Sequence, residues 1–248
     1  MIEGLKGVHE MEFVIPEKNT QANQQSNLLD LIKIPIENDL KKRHVSSEID
    51  LALGFNIKKI EEKLRTEALN IKLGTLFDEW GPILHNGAQT WVGLDFQILQ
   101  CSYHDLKTLF ETIKLKPHQT VVDLGAGYGR IGIFMHWFYR HSPFIGIELV
   151  KERVDEANRI YKKLGTQNKT MLVDDLSTIE ELPEGEIYFI YDFGSEAHLK
   201  RILNMLKEKT GKILIVKGRI CHNLIVRDPT WEEGFKLKKF EDIYLYYL

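Results

Sequence analysis

Residues 121–132 read VVDLGAGYGRIG, and the reading of this stretch decides the architecture. The apolar run TVVDL (120–124) has the length and composition of a short buried strand. Gly125, Gly127 and Gly129 follow it and let the backbone approach a ligand where a Cβ would clash. GRIGIFMHWFYR (129–140) then continues as a helix, whose first turn leaves backbone N–H groups unpaired. Asp123 lies at the carboxyl end of the strand, the place where open α/β sheets hold their ligands. Its carboxylate is expected to accept hydrogen bonds from the turn, or to lie near a cationic ligand group such as an amine.

Working outward, the same alternation repeats on both sides. DLKTLFETIKL (105–115) reads as a helix before the turn. After it come FIGIEL (144–149) as a strand and KERVDEANRIYKKLG (151–165) as a helix closed by Gly165. TMLV (170–173), EIYFIYD (186–192) and KILIVKG (212–218) read as three more strands, the last two separated by the helix EAHLKRILNMLKEKTG (196–211). Short apolar strands alternating with helices predict a largely parallel sheet covered on both faces. The ending departs from this rhythm. An irregular stretch follows Gly218, then FKLKKFED (235–242) and IYLYYL (243–248), which read as a hairpin closing the sheet.

The first hundred residues read as a mainly helical extension preceding a ligand-binding domain at 101–248. EKNTQANQQSN (17–27) is polar and reads as a loop. IKKIEEKLRTEALNIKLGTLFDEW (57–80) carries apolar residues at helical spacing, Ile57, Ile60, Leu64, Ala68 and Ile71. Glu61 and Glu62, spaced four and three residues from Arg65, mark an exposed face of that helix.

Composition sets the outer bounds. The 248 residues are 43% hydrophobic and 28% charged, enough apolar material for a sizeable core, and the formal net charge is -3. A mildly acidic total argues against a surface built throughout to trap nucleic acid. Cys101 and Cys221 have no partner at metal-ligand or disulfide spacing, and Cys101 reads as a small buried hydrophobe. No apolar run reaches the length of a membrane span or signal peptide. The expectation is a cytoplasmic protein with no metal and no membrane partner.

Glu148 ends the second strand, twenty-five residues after Asp123, where an acid faces the crevice and can accept both hydroxyls of a ribose. Gly127, Gly129 and Gly132 also satisfy the G-x-G-x-x-G of nicotinamide dinucleotide sites. Two features count against that ligand. The chain ends in a hairpin where a second mononucleotide half would stand, and Asp123 suits an amine better than a pyrophosphate.

DLGAGYGRIG followed by GIEL resembles the first two motifs of the class I S-adenosylmethionine-dependent methyltransferases, over roughly residues 100–248. The resemblance implies a Rossmann-like seven-stranded sheet whose last strand inserts antiparallel. It implies that Asp123, Gly125, Ala126, Gly127, Gly129 and Arg130 hold the methionine end of S-adenosylmethionine, and that Glu148 holds its ribose. In MLVDDLS (171–177) it implies Asp175 against the adenine amino group, with Asp174 as the alternative and Leu176 packed on the adenine face. S-adenosylhomocysteine would be the product.

IYDFGSEAHLKRIL (190–203) places Tyr191, Asp192, Phe193 and Ser195 where the fourth strand opens. Asp192 and Phe193 are expected on the catalytic side, Asp192 orienting an amine and Phe193 walling the site. The bland alternative makes Asp192 or Ser195 a helix cap. Before the domain, TWVGLDFQILQCSYHDLKTLF (90–110) carries Trp91, Phe96, Gln100, Ser102, Tyr103 and His104. In resembling enzymes such a segment folds across the cofactor, and Tyr103 is expected there as a cofactor and catalytic residue. Ser102 also reads as a helix cap, with Asp105 three residues on. The fourth-strand region has a distant likeness to the DOT1-type lysine methyltransferases, with Asp192 replacing their asparagine. The [ND]-P-P-[FY] sequence of many amino methyltransferases is absent. The resulting expectation is methylation of a protein lysine. The rival readings are a small-molecule acceptor, a nucleic-acid acceptor and a non-catalytic module.

Overall fold

The computed structural model describes residues 21–71, 83–85, 88–92, 95–231, 235–236 and 242–248. The chain divides into two compact units, Met1–Ile34 and Pro35–Leu248, so the unit that carries the sheet begins well before residue 101. In the first unit, helix α1 spans Gln21–Lys33 and takes in most of the polar stretch expected as a loop. Gln, Ala and Leu are good helix formers however hydrophilic the run looks.

The second unit opens with two helices. α2 (Asp39–Leu53) is capped by Asn38, which accepts from the Lys41 N–H, and stops at Gly54 in the left-handed conformation (φ 84°). α3 (Ile57–Ile71) realises the first part of the predicted helical run; residues 72–80 lie outside the described residues. Strands β1 (Ile83–His85) and β2 (Ala88–Val92) pair antiparallel. α4 (Tyr103–Ile113) begins at Ser102, whose hydroxyl accepts from the Asp105 N–H as expected. The Asp105 carboxylate itself goes to Lys42, 3.0 Å away on α2.

The main sheet follows the predicted alternation: β3 (Val121–Leu124), α5 (Arg130–Phe138), β4 (Phe144–Glu148), α6 (Lys151–Leu164), β5 (Lys169–Val173), β6 (Ile187–Tyr191), α7 (Glu196–Lys207) and β7 (Ile213–Lys217). The remaining elements are α8 (Arg219–Val226), β8 (Phe235–Lys236) and β9 (Ile243–Tyr247). The seven strands lie in the order β5-β4-β3-β6-β7-β9-β8. β3 through β7 are parallel, whereas β9 runs antiparallel to both β7 and β8 and lies between them. The described chain thus closes the sheet with the expected antiparallel hairpin, β8–β9, whose second strand is inserted between β7 and β8. α8 occupies part of the stretch expected to be irregular.

All four residues of β3 are buried, as a strand covered by helices on both faces should be. On one face Val122, Leu124, Tyr188, Ile190, Leu214 and Val216 pack against Leu199, Ile202, Leu203 and Leu206 of α7. Each such fully buried Leu or Ile contributes about 1.5–3 kcal/mol. The order of the strands reverses at β3, with β4 and β5 to one side and β6 and β7 to the other. That is the switch point at which open α/β sheets bind ligands.

Candidate active site

A cleft of about 310 Å³ opens at this switch point. Gly125, Glu148, Asp174 and Tyr191 line it from the carboxyl ends of β3, β4, β5 and β6. Trp91, Phe96, Ile98 and Gln100 line it from the segment before α4. The sheet thus supplies the floor, and the segment 91–100 supplies a wall.

The glycine turn is built from the neighbouring strand. The N–H groups of Gly125 and Ala126 both donate to the Ile147 carbonyl, at 3.0 and 2.9 Å. Gly127 N–H donates to Glu148 Oε2 at 2.9 Å, and the other Glu148 oxygen accepts from the Val150 N–H at 3.0 Å. These bonds correct the expectation that Asp123 would organise the turn; Glu148 does so. Gly129 (φ 66°) takes a conformation that L side chains rarely adopt, and a Cβ there would meet the Met171 sulfur at 2.9 Å.

Asp123 is left beneath the turn, 5% exposed. Burial, with the Glu148 charge adding to it, pushes its carboxyl up to about 8. It shares a small annex of about 20 Å³ with Gln100, Gly125, Ala126, Arg130 and Tyr191. A volume of that kind holds one water-sized group.

Behind Glu148 stands a residue that no local motif marks out. Arg153 of α6 lines the cleft, lies 3.8 Å from the Glu148 carboxylate, and donates to both oxygens of Glu61 on α3 at 2.9 and 3.2 Å. Tyr128 of the turn donates to Glu61 as well, at 2.8 Å. Glu61 is therefore turned inward, contrary to the exposed face expected from its spacing to Arg65. The signal was out of reach because its partner lies ninety-two residues away.

Beyond β5, Asp174 and Asp175 both line the cleft, with Leu176 buried beside them. Asp174 Oδ1 accepts from the Asp175 N–H and Asp175 Oδ1 from the Ser177 N–H, each at 2.8 Å. The two acids hold the loop in place by one oxygen apiece, and the other oxygen of each has no hydrogen bond among the described residues.

Asp192 and Phe193 line the cleft at the end of β6. Phe193 lies against Gly125, where a Cβ would meet it at 3.2 Å. Asp192 accepts from the N–H groups of Ile220 and Cys221 at 3.0 and 2.9 Å, the first turn of α8. The cap expected on its own helix is supplied instead by Ser195, which accepts from His198 N–H. Burial raises the Asp192 carboxyl above its ordinary value, while the Cys221 and Ile220 N–H bonds oppose the rise. Lys217, at the end of β7, donates to both oxygens of Asp242 at 2.9 and 3.0 Å.

Of the residues expected at the cofactor, Tyr103 sits elsewhere and Arg130 is shared between α2 and the annex. Tyr103 is fully buried and absent from the cleft lining; its hydroxyl donates to Asp50 of α2 at 3.0 Å. Arg130 turns from the glycine turn toward α2, where it pairs with Asp50 and also donates to the Cys101 carbonyl and Gln97 Oε1, each at 3.0 Å. A buried carboxylate on α2 captures both side chains because each would otherwise be buried without a partner. Cys101 is buried, which pushes its thiol up to about 12 and leaves it inert as a nucleophile. His104 is also buried and outside the cleft lining.

The strand order, with its inserted antiparallel last strand, decides the architecture. It is the Rossmann-like fold of the class I methyltransferases. No family model matches the chain. The chain is similar to (S)-coclaurine N-methyltransferase from Papaver somniferum, 24% identical over 213 residues; this covers 84% of the chain and 55% of the relative, so the chain spans about half that protein's length. Among solved structures it is similar to precorrin-6y C5,15-methyltransferase from Geobacter metallireducens (TM-score 0.45, 16% identity, 59% of this chain and 88% of that one). It is also similar to an RNA methyltransferase from Salinibacter ruber in complex with S-adenosylhomocysteine (TM-score 0.43, 18% identity, 57% of this chain and 86% of that one). None of these three relatives carries the likeness to DOT1-type enzymes. Among the described residues no helix is long and apolar enough to cross a membrane, and no group of three or more His, Cys, Asp or Glu could hold a metal.

Proposed function

We propose that this chain is an S-adenosylmethionine-dependent methyltransferase acting on an amine nitrogen, with a protein lysine side chain as the acceptor. The observation that carries the donor is Glu148. Fixed at the end of β4 by two backbone N–H groups and backed by Arg153, it presents its remaining lone pairs to the cleft beside a glycine turn. A carboxylate so held is preorganised to accept the two hydroxyls of a ribose. The annex next to it fits the other end of the donor, since Asp123 is a buried carboxyl without a cation of its own among the described residues. Asp174 or Asp175 would take the adenine amino group, with Leu176 packed against the ring.

When bound, the donor supplies a methyl group on a sulfonium, so the protein has chiefly to align an acceptor and accept its proton. Tyr191, Phe193 and Trp91 give the cleft aromatic faces suited to an ammonium or an alkylated amine. Asp192 and His198 line the same cleft as polar groups able to orient the amine and take up its proton. A cleft of about 310 Å³ lies at the small end of ligand pockets. With a nucleoside inside, it leaves room for a slender arm reaching in from outside, which is why a lysine side chain is favoured. Among the described lining residues the one arginine or lysine, Arg153, is buried and paired, so that lining carries no basic strip of the kind a nucleic acid requires.

A small amine acceptor is the second reading, favoured by the similarity to an enzyme named as an N-methyltransferase of coclaurine. The test is calorimetric titration with S-adenosylhomocysteine, followed by incubation with labelled S-adenosylmethionine and either protein extracts or small amines. Glu148→Gln should weaken nucleoside binding by about 10- to 100-fold, the range for a hydrogen bond to a charged group. Undiminished affinity in that variant would sink the site; label in small amines alone would replace lysine with a metabolite.

A further inference from the structure

Gln100 poses a problem in the free protein. Both polar atoms of its amide are buried, and neither has a hydrogen-bond partner among the described residues. Leaving such an amide unsatisfied is costly, and a folded chain seldom tolerates it without a reason. The amide lies against the glycine turn: a Cβ on Gly127 would meet Gln100 Cγ at 3.7 Å and Oε1 at 3.9 Å. Gln100 lines both the cleft and the annex, so it stands where the two spaces meet. Two further groups line the annex with unspent capacity. Arg130 Nε is buried without a partner, although its other nitrogens are engaged, and Asp123 offers a buried carboxyl.

This set has the donor and acceptor pattern of an α-amino acid. An ammonium requires acceptors, which Gln100 Oε1 and Asp123 provide; a carboxylate requires donors, which Gln100 Nε2 and Arg130 Nε–H provide. Resting on the donor assignment above, we propose that Gln100 is the residue that makes the site selective for a nucleoside carrying an amino-acid tail. The segment before α4 thereby recognises the ligand and does more than wall it in. Gln100 can do this because the chain on either side is pinned. Arg130 holds the Cys101 carbonyl and Gln97, and Asp50 holds Arg130. The amide is preorganised before any ligand arrives, so little ordering cost remains to be met on binding.

The experiment compares S-adenosylhomocysteine with 5′-methylthioadenosine, which share adenine, ribose and thioether and differ in the amino-acid tail. Both are titrated calorimetrically into the wild-type chain and Gln100→Leu, with thermal unfolding of both proteins. Gln100→Leu should weaken S-adenosylhomocysteine by about 10- to 100-fold and leave 5′-methylthioadenosine within about twofold. The ligand-free variant should unfold no earlier than wild type, since an unsatisfied amide has been removed. Equal losses for both ligands, or no loss for S-adenosylhomocysteine, would overturn the role of Gln100 while the donor assignment stood. Wild-type protein that binds neither ligand would overturn the donor assignment and this proposal together. Should Gln100→Leu fold poorly, Gln100→Met provides the same comparison in a more adaptable side chain.

Discussion

Two acid–arginine pairs fasten the helices before the sheet to the helices after the glycine turn, and they differ in what they touch. Asp50 of α2 and Arg130 of α5 are 4% and 3% exposed, sealed among Tyr103, Gln97 and the Cys101 carbonyl. Glu61 of α3 and Arg153 of α6 are built alike, yet Arg153 also lies in the cleft wall beside Glu148. The first pair fixes where the segment 97–103 runs; the second connects the same group of helices to the Glu148 carboxylate that lines the cleft. One chemical device serves as a fastener in one place and as part of the site in the other.

The largest effect expected from breaking this symmetry is at the sealed pair. Asp50→Ala leaves Arg130 charged and buried without its counter-ion, which should cost about 3–5 kcal/mol of stability. Urea unfolding measures it, and a loss below about 1 kcal/mol would show that water reaches the pair.

Asp123 sharpens the contrast because it precedes both arginines in sequence and is paired with neither among the described residues. Glu148 on β4, Arg130 on α5, Tyr161 on α6, Tyr191 on β6 and Cys101 are the ionisable groups around it among the described residues. Its carboxyl is raised from 3.8 to about 8, so the folded protein holds a proton that the unfolded chain has already released. Its stability contribution is therefore complete below about pH 4 and is lost as the pH rises through about 8. From about pH 6 to pH 8 the decline should reach at most about 2 kcal/mol, and Asp123→Asn should flatten it. A ligand ammonium would reverse the preference, so binding near neutrality should release close to one proton, read by calorimetry in buffers of different ionisation enthalpy. Equal heats in all buffers would place the ammonium elsewhere.

The smallest effect belongs to the pair in the cleft wall. Glu61→Gln keeps hydrogen-bonding capacity toward Arg153 and Tyr128 but removes the charge. It should weaken S-adenosylhomocysteine by about three- to tenfold, with stability changed by about 1 kcal/mol. A large stability loss at unchanged affinity would reduce this pair to a fastener like the other.

The sheet was legible because its signals are local. Each strand from Val121 to Lys217 is an apolar run of four or five residues flanked by a turn or by a helix of 3.6-residue period, and the glycine turn announces itself within twelve residues. What was not legible depends on partners distant in sequence. Glu61 looked solvated until Arg153 arrived, Tyr103 looked like a ligand contact until Asp50 claimed it, and Arg130 looked like a ligand contact alone until Asp50 took one of its nitrogens. α8 escaped because no side chain at its start caps it; Asp192 does so from twenty-eight residues before Ile220. α1 escaped for a different reason, hydrophilicity having been taken for irregularity.

That borrowed cap has a consequence in time as well as space. The Asp192 carboxylate in the cleft wall is also the stopper on α8, so under the proposed function a substrate amine that drew Asp192 toward itself would loosen the first turn of that helix. The amide hydrogens of Ile220 and Cys221 would then exchange faster with solvent while the acceptor is seated and slow again when the product departs. α8 is in this sense a clock on the catalytic cycle, readable by deuterium without a label on either substrate.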